Sequence, residues 1–531
     1  MNLSLVARLL AGFTLFFTGL TVVPLVVAFF EPASAFQTVR GFAWAASLGS
    51  VTALALRLLG RDAEPEFFRR EGLAVVGLAW VIAGVLGGVP LYASGSLGDF
   101  ADAFFESISG LTTTGATVYN TAQNPAPEDL PSSILLWRSM LQWVGGTGVI
   151  LVFTVLLPTL GLTGKNLLDS EAVGVSRQDQ KPRVREQSRL LFRLYVSLTA
   201  LCALGYWLAG MGAFDAICHA LTTLATGGFS TQNYSLGQYQ NLGIELCSIL
   251  FMFLAGTSFL LMLSAARGRD IRILHRNPEF RAYTILTVVL IAFVTLALRF
   301  WGRSIADPGL ELTKDYAHLG TCLRDAAFQV VSILTSTGYG STDFQNWPKI
   351  ALFALVACML IGGSTGSTAG GFKVYRVLVC LKLIGFAMRR FIRPRTVEKL
   401  RVGEELVPNG AISTILTLLI LWFGSVAAGG CRRFKLRSGP PEPHHHDDPP
   451  LASARQPAAA GPASRAIFPN PHHQPGIFFL NGGTGSFPMG FPSSPTFLGA
   501  SVYVQAAPVA PGINPFNRIT SNGLQLTLGE L

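Results

Sequence analysis

The chain has 531 residues, of which 50% are hydrophobic and 13% charged, and its formal net charge is +10. Soluble globular proteins carry about 25% charged residues, so this composition excludes a soluble domain and predicts a polytopic all-α membrane protein. The basic residues lie between apolar runs. This placement argues against a nucleic-acid partner and is typical of cytoplasmic loops beside membrane lipid.

Nine apolar runs are candidates for membrane helices, because about 20 apolar residues cross the hydrocarbon core. When the runs are threaded alternately, every basic cluster falls on one side. The positive-inside rule then places the amino terminus in the cytoplasm. The runs are Leu9–Phe30, Phe42–Leu59, Leu73–Ala93, Ile134–Leu157, Leu190–Ala209, Leu242–Leu263, Thr284–Leu298, Ile350–Ile361 and Ile412–Ala428.

A short motif occurs three times: Asp-Ala, a run of mostly apolar residues, then Thr-Gly among hydroxyl side chains. The copies occupy Asp102–Thr117, Asp215–Thr231 and Asp325–Thr342. We align them on Gly115, Gly227 and Gly338, which are 112 and 111 residues apart. Internal repeats in a membrane chain indicate a transport path at their interface. Each apolar run is too short to span but suits a re-entrant pore helix, and all three copies face outside.

Both ends of the motif have a predicted role. The opening aspartates Asp102, Asp215 and Asp325 suit the N-cap of a pore helix, and ordinary loop aspartates are the alternative. At the other end, glycine reaches positive φ at little cost, and backbone carbonyls can replace the hydration shell of a cation. We therefore predict a cation filter, with three ordinary glycine C-caps as the alternative. The filter residues are Thr113, Thr114, Gly115, Ala116, Ala225, Thr226, Gly227, Gly228, Ser336, Thr337, Gly338 and Tyr339.

A glycine-rich stretch interrupts the apolar run after the third copy. It lacks the spacing of a nucleotide-binding P-loop. Inside a membrane helix it predicts a break below the filter that acts as a gate, and close helix packing on small residues is the alternative. Lys373 and Arg376 are predicted to mark the cytoplasmic exit. The predicted gating residues are Gly362, Gly363, Ser364, Thr365, Gly366, Ser367, Thr368, Ala369, Gly370 and Gly371.

The motifs in combination resemble the TrkH/TrkG/KtrB superfamily of potassium uptake proteins, most closely its TrkH branch. The matching stretches cover nearly all of residues 1–425 and are FFESISGLTTTGATVY, LLWRSMLQWVGGTGVI, TTLATGGFST, STGYGSTDFQNWP and GGSTGSTAGGFKVYRV. The resemblance implies two amino-terminal helices, then four helix–pore helix–helix units around one pore, as in potassium channels, and a glycine-rich intramembrane gating loop.

The resemblance also implies a function. The expected activity is potassium uptake across the bacterial inner membrane, either channel-like or coupled to Na⁺ or H⁺, with K⁺ as substrate at the filter and no covalent cofactor. A homodimer with a cytoplasmic nucleotide-binding regulatory subunit of TrkA type is the expected assembly.

The carboxyl-terminal part departs from this pattern. The expected units are residues 1–70 for two helices, 71–165, 186–266 and 280–395 for three pore repeats, and 406–428 for the first helix of a fourth. The repeat spacing asks for a fourth aspartate near position 436 and a fourth glycine near 449, where the sequence is GPPEPHHHDDPP instead. We predict that residues 431–531 are a disordered or frameshifted tail.

Two other interpretations compete with transport. The chain could be an inactive, frameshifted product, which translation of the DNA in the other reading frames would test. It could instead be an intramembrane enzyme, which we disfavour because His219 is the only histidine in a repeat copy and no nucleophile–base set is evident. The histidines His444–His446 and the cysteines predict no transition-metal site.

Overall fold

The computed structural model is helical in its first 437 residues. It describes residues 2–31, 35–62, 69–121, 124–151, 180–302, 305–307, 312–393, 400–403, 405–407, 409–437, 488–489, 501–503 and 525–528. The chain divides into two compact units, one of residues 1–422 and 504–524, and one of residues 423–503 and 525–531.

Sixteen helices are described in these ranges. They are α1 Leu3–Leu20, α2 Val22–Phe29, α3 Ala35–Leu59, α4 Arg69–Ala93, α5 Phe100–Leu111, α6 Ser132–Leu151, α7 Gln180–Leu208, α8 Ala213–Leu224, α9 Leu242–Ala255, α10 Phe259–Gly268, α11 Arg272–Arg276, α12 Pro278–Trp301, α13 Leu319–Leu334, α14 Lys349–Ile361, α15 Val374–Ile392 and α16 Asn409–Arg437. By length and composition, five helices of the described chain are suited to crossing a membrane, or six if the bent pair α9–α10 is one span.

The first predicted span is divided into two helices. The α-helix starts at Leu3, ahead of the predicted Leu9, and breaks at Thr21. Pro24 has no N–H to donate to the carbonyl of Leu20, so one backbone hydrogen bond is missing there. The Thr21 hydroxyl donates to the Thr18 carbonyl at 2.7 Å.

Three repeats follow, each with a long first helix, a short pore helix and a second helix. Repeat 1 comprises α4, α5 and α6, repeat 2 comprises α7, α8 and α9–α10, and repeat 3 comprises α12, α13 and α14–α15. Buried apolar clusters fill each repeat, around Trp137, Phe259 and Leu334 respectively. The three short helices are mostly apolar, with a few buried polar side chains such as Glu106, His219 and Gln329. The predicted unit boundaries remain predictions.

The predicted span Leu242–Leu263 is not one continuous helix. It consists of α9 and α10, which meet at an angle of 94°. The backbone groups freed by the bend are taken up by the glycine-rich stretch, because the Gly256 carbonyl accepts the Ser364 N–H at 2.9 Å and the Phe259 N–H donates to the Gly366 carbonyl at 3.1 Å. Non-helical backbone is tolerated at membrane depth where protein satisfies it in this way.

Short strands connect or follow the helices, and the first two lie between α12 and α13. The first unit has two hairpins, β1 Ile305–Asp307 with β2 Leu312–Lys314, and β3 Arg401–Val402 with β4 Glu405–Leu406. In the second unit, β7 Gln525–Leu528 pairs with β5 Pro488–Met489 in parallel and with β6 Ser501–Tyr503 in antiparallel orientation.

The predicted composition boundary at Cys431 is not a helix boundary, since α16 continues to Arg437. The described parts of the predicted disordered tail are therefore the end of a helix and three short strands. The rest of that prediction, including His444–His446, lies outside the described residues, as do residues 152–179 and 394–399.

Candidate functional site

The backbone after each pore helix takes the same path in all three repeats. Two residues past the helix end, φ is positive, the next φ is negative, and the following glycine is positive again. A threonine or serine at the first of these positions costs roughly 1–2 kcal/mol, a strain that marks functional segments. The pairs are Thr113 at 52° and Gly115 at 72°, Thr226 at 52° and Gly228 at 76°, and Ser336 at 55° and Gly338 at 82°.

This geometry corrects the alignment of the second copy. The equivalent glycines are Gly115, Gly228 and Gly338, and each lies 13 residues after the aspartate of its own copy. Gly227 matches the residue before the glycine, because its N–H donates to the Thr222 carbonyl at 3.0 Å. The N–H groups of Thr114 and Thr337 make the same bond, each to a pore-helix serine at 2.9 Å. We name Thr113–Ala116, Thr226–Phe229 and Ser336–Tyr339 the first, second and third segments.

Pore-helix hydroxyls hold two of the segments. The Ser109 hydroxyl donates to the Ala116 carbonyl at 2.5 Å, and the Ser332 hydroxyl donates to the Tyr339 carbonyl at 2.8 Å. The second segment is held differently. Gln142 of α6 donates from Nε2 to the Gly227 carbonyl at 2.9 Å and accepts the Phe229 N–H at 3.1 Å.

A buried polar residue lies behind each segment, nine positions before its glycine. Glu106 accepts the Thr117 hydroxyl and the Val118 N–H, both at 3.0 Å. His219 bonds the Ser230 hydroxyl at 2.9 Å through Nε2, and Gln329 donates weakly to the Thr342 carbonyl at 3.4 Å. The sequence analysis missed this set. Its signal was a polar side chain at one repeated position of an otherwise apolar helix.

Arg138, one turn before Gln142 on α6, connects the first two segments. Its guanidinium bonds Glu106 at 2.9 Å and the Thr117 hydroxyl at 3.2 Å, and it reaches the Ser230 carbonyl at 3.4 Å. It also lies 4.9 Å from the centre of the Tyr119 ring and 4.4 Å from that of Phe229. Arg138 and Glu106 are 2% and 0% exposed, so the pair is sealed from water behind the segments.

The predicted aspartate caps are wrong in all three repeats. The N-caps are Asp99, Gly212 and His318. Asp102 and Asp215 lie in the first helical turn, and Asp325 lies well inside the longer α13.

These aspartates bind other parts of their repeats instead. Asp102 accepts Asn124 Nδ2 at 3.3 Å, and Asp215 accepts the Thr231 hydroxyl at 2.8 Å. Asp325 accepts Lys314 Nζ at 3.0 Å and the Tyr316 hydroxyl at 3.1 Å. Burial raises the pKa of Tyr316 above its ordinary value, which keeps this hydroxyl protonated as a donor.

The segments contact one another in chain order. Asn120, just after the first segment, donates to Asn233 after the second at 2.6 Å. The Tyr339 hydroxyl bonds Thr222 of the second pore helix at 2.5 Å. Beyond the segments, the Gly237 N–H donates to the Gly340 carbonyl at 2.9 Å. The three segments therefore form a continuous row from repeat 1 to repeat 3.

The glycine loop, Gly362–Gly371, connects α14 to α15 and contains every predicted gating residue. Its ends touch, because a Cβ on Gly362, whose φ is +77°, would lie 2.2 Å from the Gly370 carbonyl oxygen. The Phe372 and Lys373 N–H groups close the base of the loop on the carbonyls of Leu360 and Ile361 at 3.2 and 2.8 Å.

The glycine loop packs directly against the second pore helix and the third segment. The Thr368 hydroxyl donates to the Leu224 carbonyl, the last residue of α8, at 3.1 Å. The Gly370 N–H donates to the Ser336 hydroxyl. Lys373 lies against this loop, since its ammonium donates to the Ala369 carbonyl.

A cavity of about 500 Å³ lies beside this row, lined in part by Glu245, Arg324 and Ser341. Glu245 and Arg324 form a two-bond ion pair of 2.6 and 2.8 Å that joins α9 to α13. Among the described residues, no group of three histidine, cysteine, aspartate or glutamate side chains is arranged to hold a metal ion.

Comparisons with known proteins agree with this geometry. Residues 37–432 match the family model TrkH, described as a cation transport protein. The Trk system potassium uptake protein TrkH of Salmonella typhimurium is 34% identical over 418 residues, which cover 78% of this chain and 82% of that protein. TrkG of Escherichia coli is 32% identical over 355 residues, which cover 66% of this chain and 70% of that protein.

A solved structure is also similar. The crystal structure of the potassium transporter TrkH from Vibrio parahaemolyticus superposes with a TM-score of 0.68 and 30% identity, covering 82% of this chain and 86% of that one. The match to the family model covers well over half of the sequence. This chain belongs to the TrkH family of cation transport proteins.

Proposed function

We propose that this chain takes up potassium across a membrane, through a path lined by the first, second and third segments. The observation that carries the proposal is the row itself: three short helices are each followed by the same positive–negative–positive backbone, successive repeats are in contact, and a glycine loop packs against the row. The names of the similar TrkH and TrkG proteins and the TrkH crystal structure support K⁺ as the ion.

Alternation in the sign of φ lets successive carbonyls line one side of a short segment, where they can replace the water around a cation. The carbonyls of Ala116, Gly227 and Tyr339 are fixed by protein donors, and a carbonyl oxygen keeps a second lone pair for an ion. The pore helices also point their negative ends at this path. We propose on this basis that the three segments form the K⁺ site, which contains eleven of the twelve predicted filter residues, with Phe229 in place of Ala225.

The glycine loop is the proposed gate. It has left-handed glycines at Gly362, Gly366 and Gly371, which give it alternative backbone paths. It contacts the third segment through the hydrogen bond between Gly370 and Ser336. A change in the conformation of the loop would therefore act directly on the proposed filter. Inward movement of one positive charge gains about 2.3 kcal/mol per 100 mV of membrane potential, which is enough to drive uptake when the loop opens.

The finer parts of the function follow from the family. We propose a bacterial inner-membrane location with the amino terminus in the cytoplasm and the filter outside. We also propose a homodimer and a cytoplasmic nucleotide-binding regulatory subunit of TrkA type. Coupling of K⁺ to Na⁺ or H⁺ belongs to the same proposal.

The inactive-product alternative also has an observation in its favour. The described residues hold three segments, and the family match ends at residue 432, beside the change of composition at Cys431. A pore that needs four segments but has only three would leave backbone polar groups exposed to lipid without hydrogen-bond partners. The two interpretations predict opposite results in one experiment.

The experiment is growth of an uptake-deficient bacterium in low-potassium medium while it produces this chain. Transport predicts rescue that is lost in Gly228→Val and in Gly338→Val, because valine cannot adopt the positive φ of either glycine without strain. Gly320→Ala, a substitution in α13 with open space around the added Cβ, is the matched control and should still rescue. No growth with the unaltered chain, at normal levels in the membrane, would favour the inactive product.

A further inference from the structure

The glycine loop is held from outside the filter by one carboxylate. Glu279 lies in the first turn of α12, where Pro278 and the N-cap Asn277 fix the start of the helix. Its Oε1 accepts the Thr365 N–H at 2.6 Å, the length of a charge-assisted hydrogen bond. The loop is therefore bonded, at Thr365, to the start of the neighbouring long helix α12.

The end of the glycine loop is bonded by one ammonium group. Lys373 directly precedes α15 and has φ of +83°, a strained value for a residue with a side chain. Its Nζ donates to the Ala369 carbonyl within the loop. Glu279 thus binds the loop at Thr365 and Lys373 binds it at Ala369, so two charged groups outside the loop each fix one part of it.

These two contacts differ in origin from the others that the loop makes. The bonds to Gly256, Leu224 and Ser336 come from the bent α9–α10 pair, the second pore helix and the third segment. Glu279 and Lys373 instead belong to the ends of α12 and α15, away from the filter. The short α11, Arg272–Arg276, joins α10 to α12 immediately before Glu279, so a shift of this connection would act on the loop directly.

We propose that Glu279 and Lys373 are positioning residues that together hold the glycine loop against the second and third segments. Weakening either contact should free the loop and raise the flux of cations. The flux part of this inference rests on the proposed function, whereas the mobility of the loop does not.

The test is hydrogen–deuterium exchange on the purified full chain in detergent, followed at the peptide that carries residues 362–373. Glu279→Gln and Lys373→Met should each speed exchange of this peptide about tenfold, as expected for the loss of one charge-assisted hydrogen bond. Glu71→Gln is the matched control. Glu71 is also a buried first-turn glutamate and accepts a backbone N–H, that of Asn2 at 3.0 Å, so its loss should leave the loop peptide unchanged.

If Glu279→Gln misfolds, Glu279→Asp keeps the charge and withdraws the carboxylate, and should give a smaller increase. Unchanged exchange in variants that melt like the unaltered chain would overturn the proposal. The proposal would also be overturned if the exchange rate in the double variant Glu279→Gln/Lys373→Met rose by the product of the two single increases. Two residues that hold the loop together should give a smaller combined increase, because the loss of either one already frees the loop. Rubidium flux into proteoliposomes should rise in both single variants. Flux absent from every protein would count against the proposed function, while exchange would still decide the role of the pair.

Discussion

Substitution of Gln142 by leucine should damage the filter more than any other single change in α6 that conserves volume. Gln142 is fully buried and is the one side chain that bonds both sides of Gly228, through the Gly227 carbonyl and the Phe229 N–H. Leucine has a similar size but no polar atoms. Both backbone groups would then be left unpaired in a dry site.

Each buried group left without a partner costs about 1–3 kcal/mol, so the loss at the second segment is about 2–6 kcal/mol in total. Gln329→Leu is the matched control, because Gln329 is equally buried behind the third segment but makes one 3.4 Å bond, and its Oε1 has no partner among the described residues. Its replacement should cost less than about 1 kcal/mol.

The assay has two readouts. Thermal melting in detergent reports the stability of the chain, and the ratio of rubidium to sodium uptake in proteoliposomes reports the shape of the filter. We expect Gln142→Leu to lower the melting temperature and reduce the ratio, and Gln329→Leu to change both little. Equal changes in the two variants would refute the reasoning, since it attributes the effect to the two bonds and not to the buried amide as such.

Three further predictions concern the same site. Glu106→Gln leaves the Arg138 guanidinium buried without its anion and should cost about 3–5 kcal/mol, measured as a lower melting temperature that the added change Arg138→Met partly restores. Gly228→Ala places a Cβ at a φ of +76° and should cost about 1–2 kcal/mol, with reduced uptake and less effect from Gly228→Asn. Tyr339→Phe removes the hydroxyl that bonds Thr222 and should lower stability by about 0.5–1.5 kcal/mol, without the loss of expression that a core cavity causes.

Most of the architecture was predictable from local signals. The three short helices end where the hydroxyl-rich stretches begin, and the glycine loop follows the third copy as its composition predicts. The bend after α9 was not predicted, although Gly256-Thr257-Ser258 interrupts an apolar run there. A glycine beside a serine can kink a helix, but the bonds that stabilise this bend come from residues more than 100 positions away. Such partners cannot be identified from a single window of sequence.

The misaligned second copy has a simple physical cause. It contains two consecutive glycines, and matching the letters Thr-Gly selects Gly227, whereas the backbone requires its left-handed glycine four residues past the helix end. The constant distance of 13 residues from the aspartate to Gly115, Gly228 and Gly338 was the better guide. Asp102 and Asp215 bind polar groups that follow their own segments, whereas Asp325 binds Lys314 and Tyr316 ahead of its helix.

A glycine in the second helix of a repeat packs against the C-cap of the next repeat's pore helix. Gly146 lies 14 residues after the start of α6, and a Cβ there would be 2.9 Å from Ala225 Cα, the C-cap of the second pore helix. Gly256 lies 14 residues after the start of α9, and its Cβ would be 2.8 Å from Cγ2 of Thr335, the third C-cap. Each second helix thus closes on the filter of the next repeat through a glycine. The equivalent C-cap of the first repeat is Thr112, whose side chain is exposed among the described residues. By the same rule, the second helix of the fourth repeat that the family resemblance implies would close on Thr112.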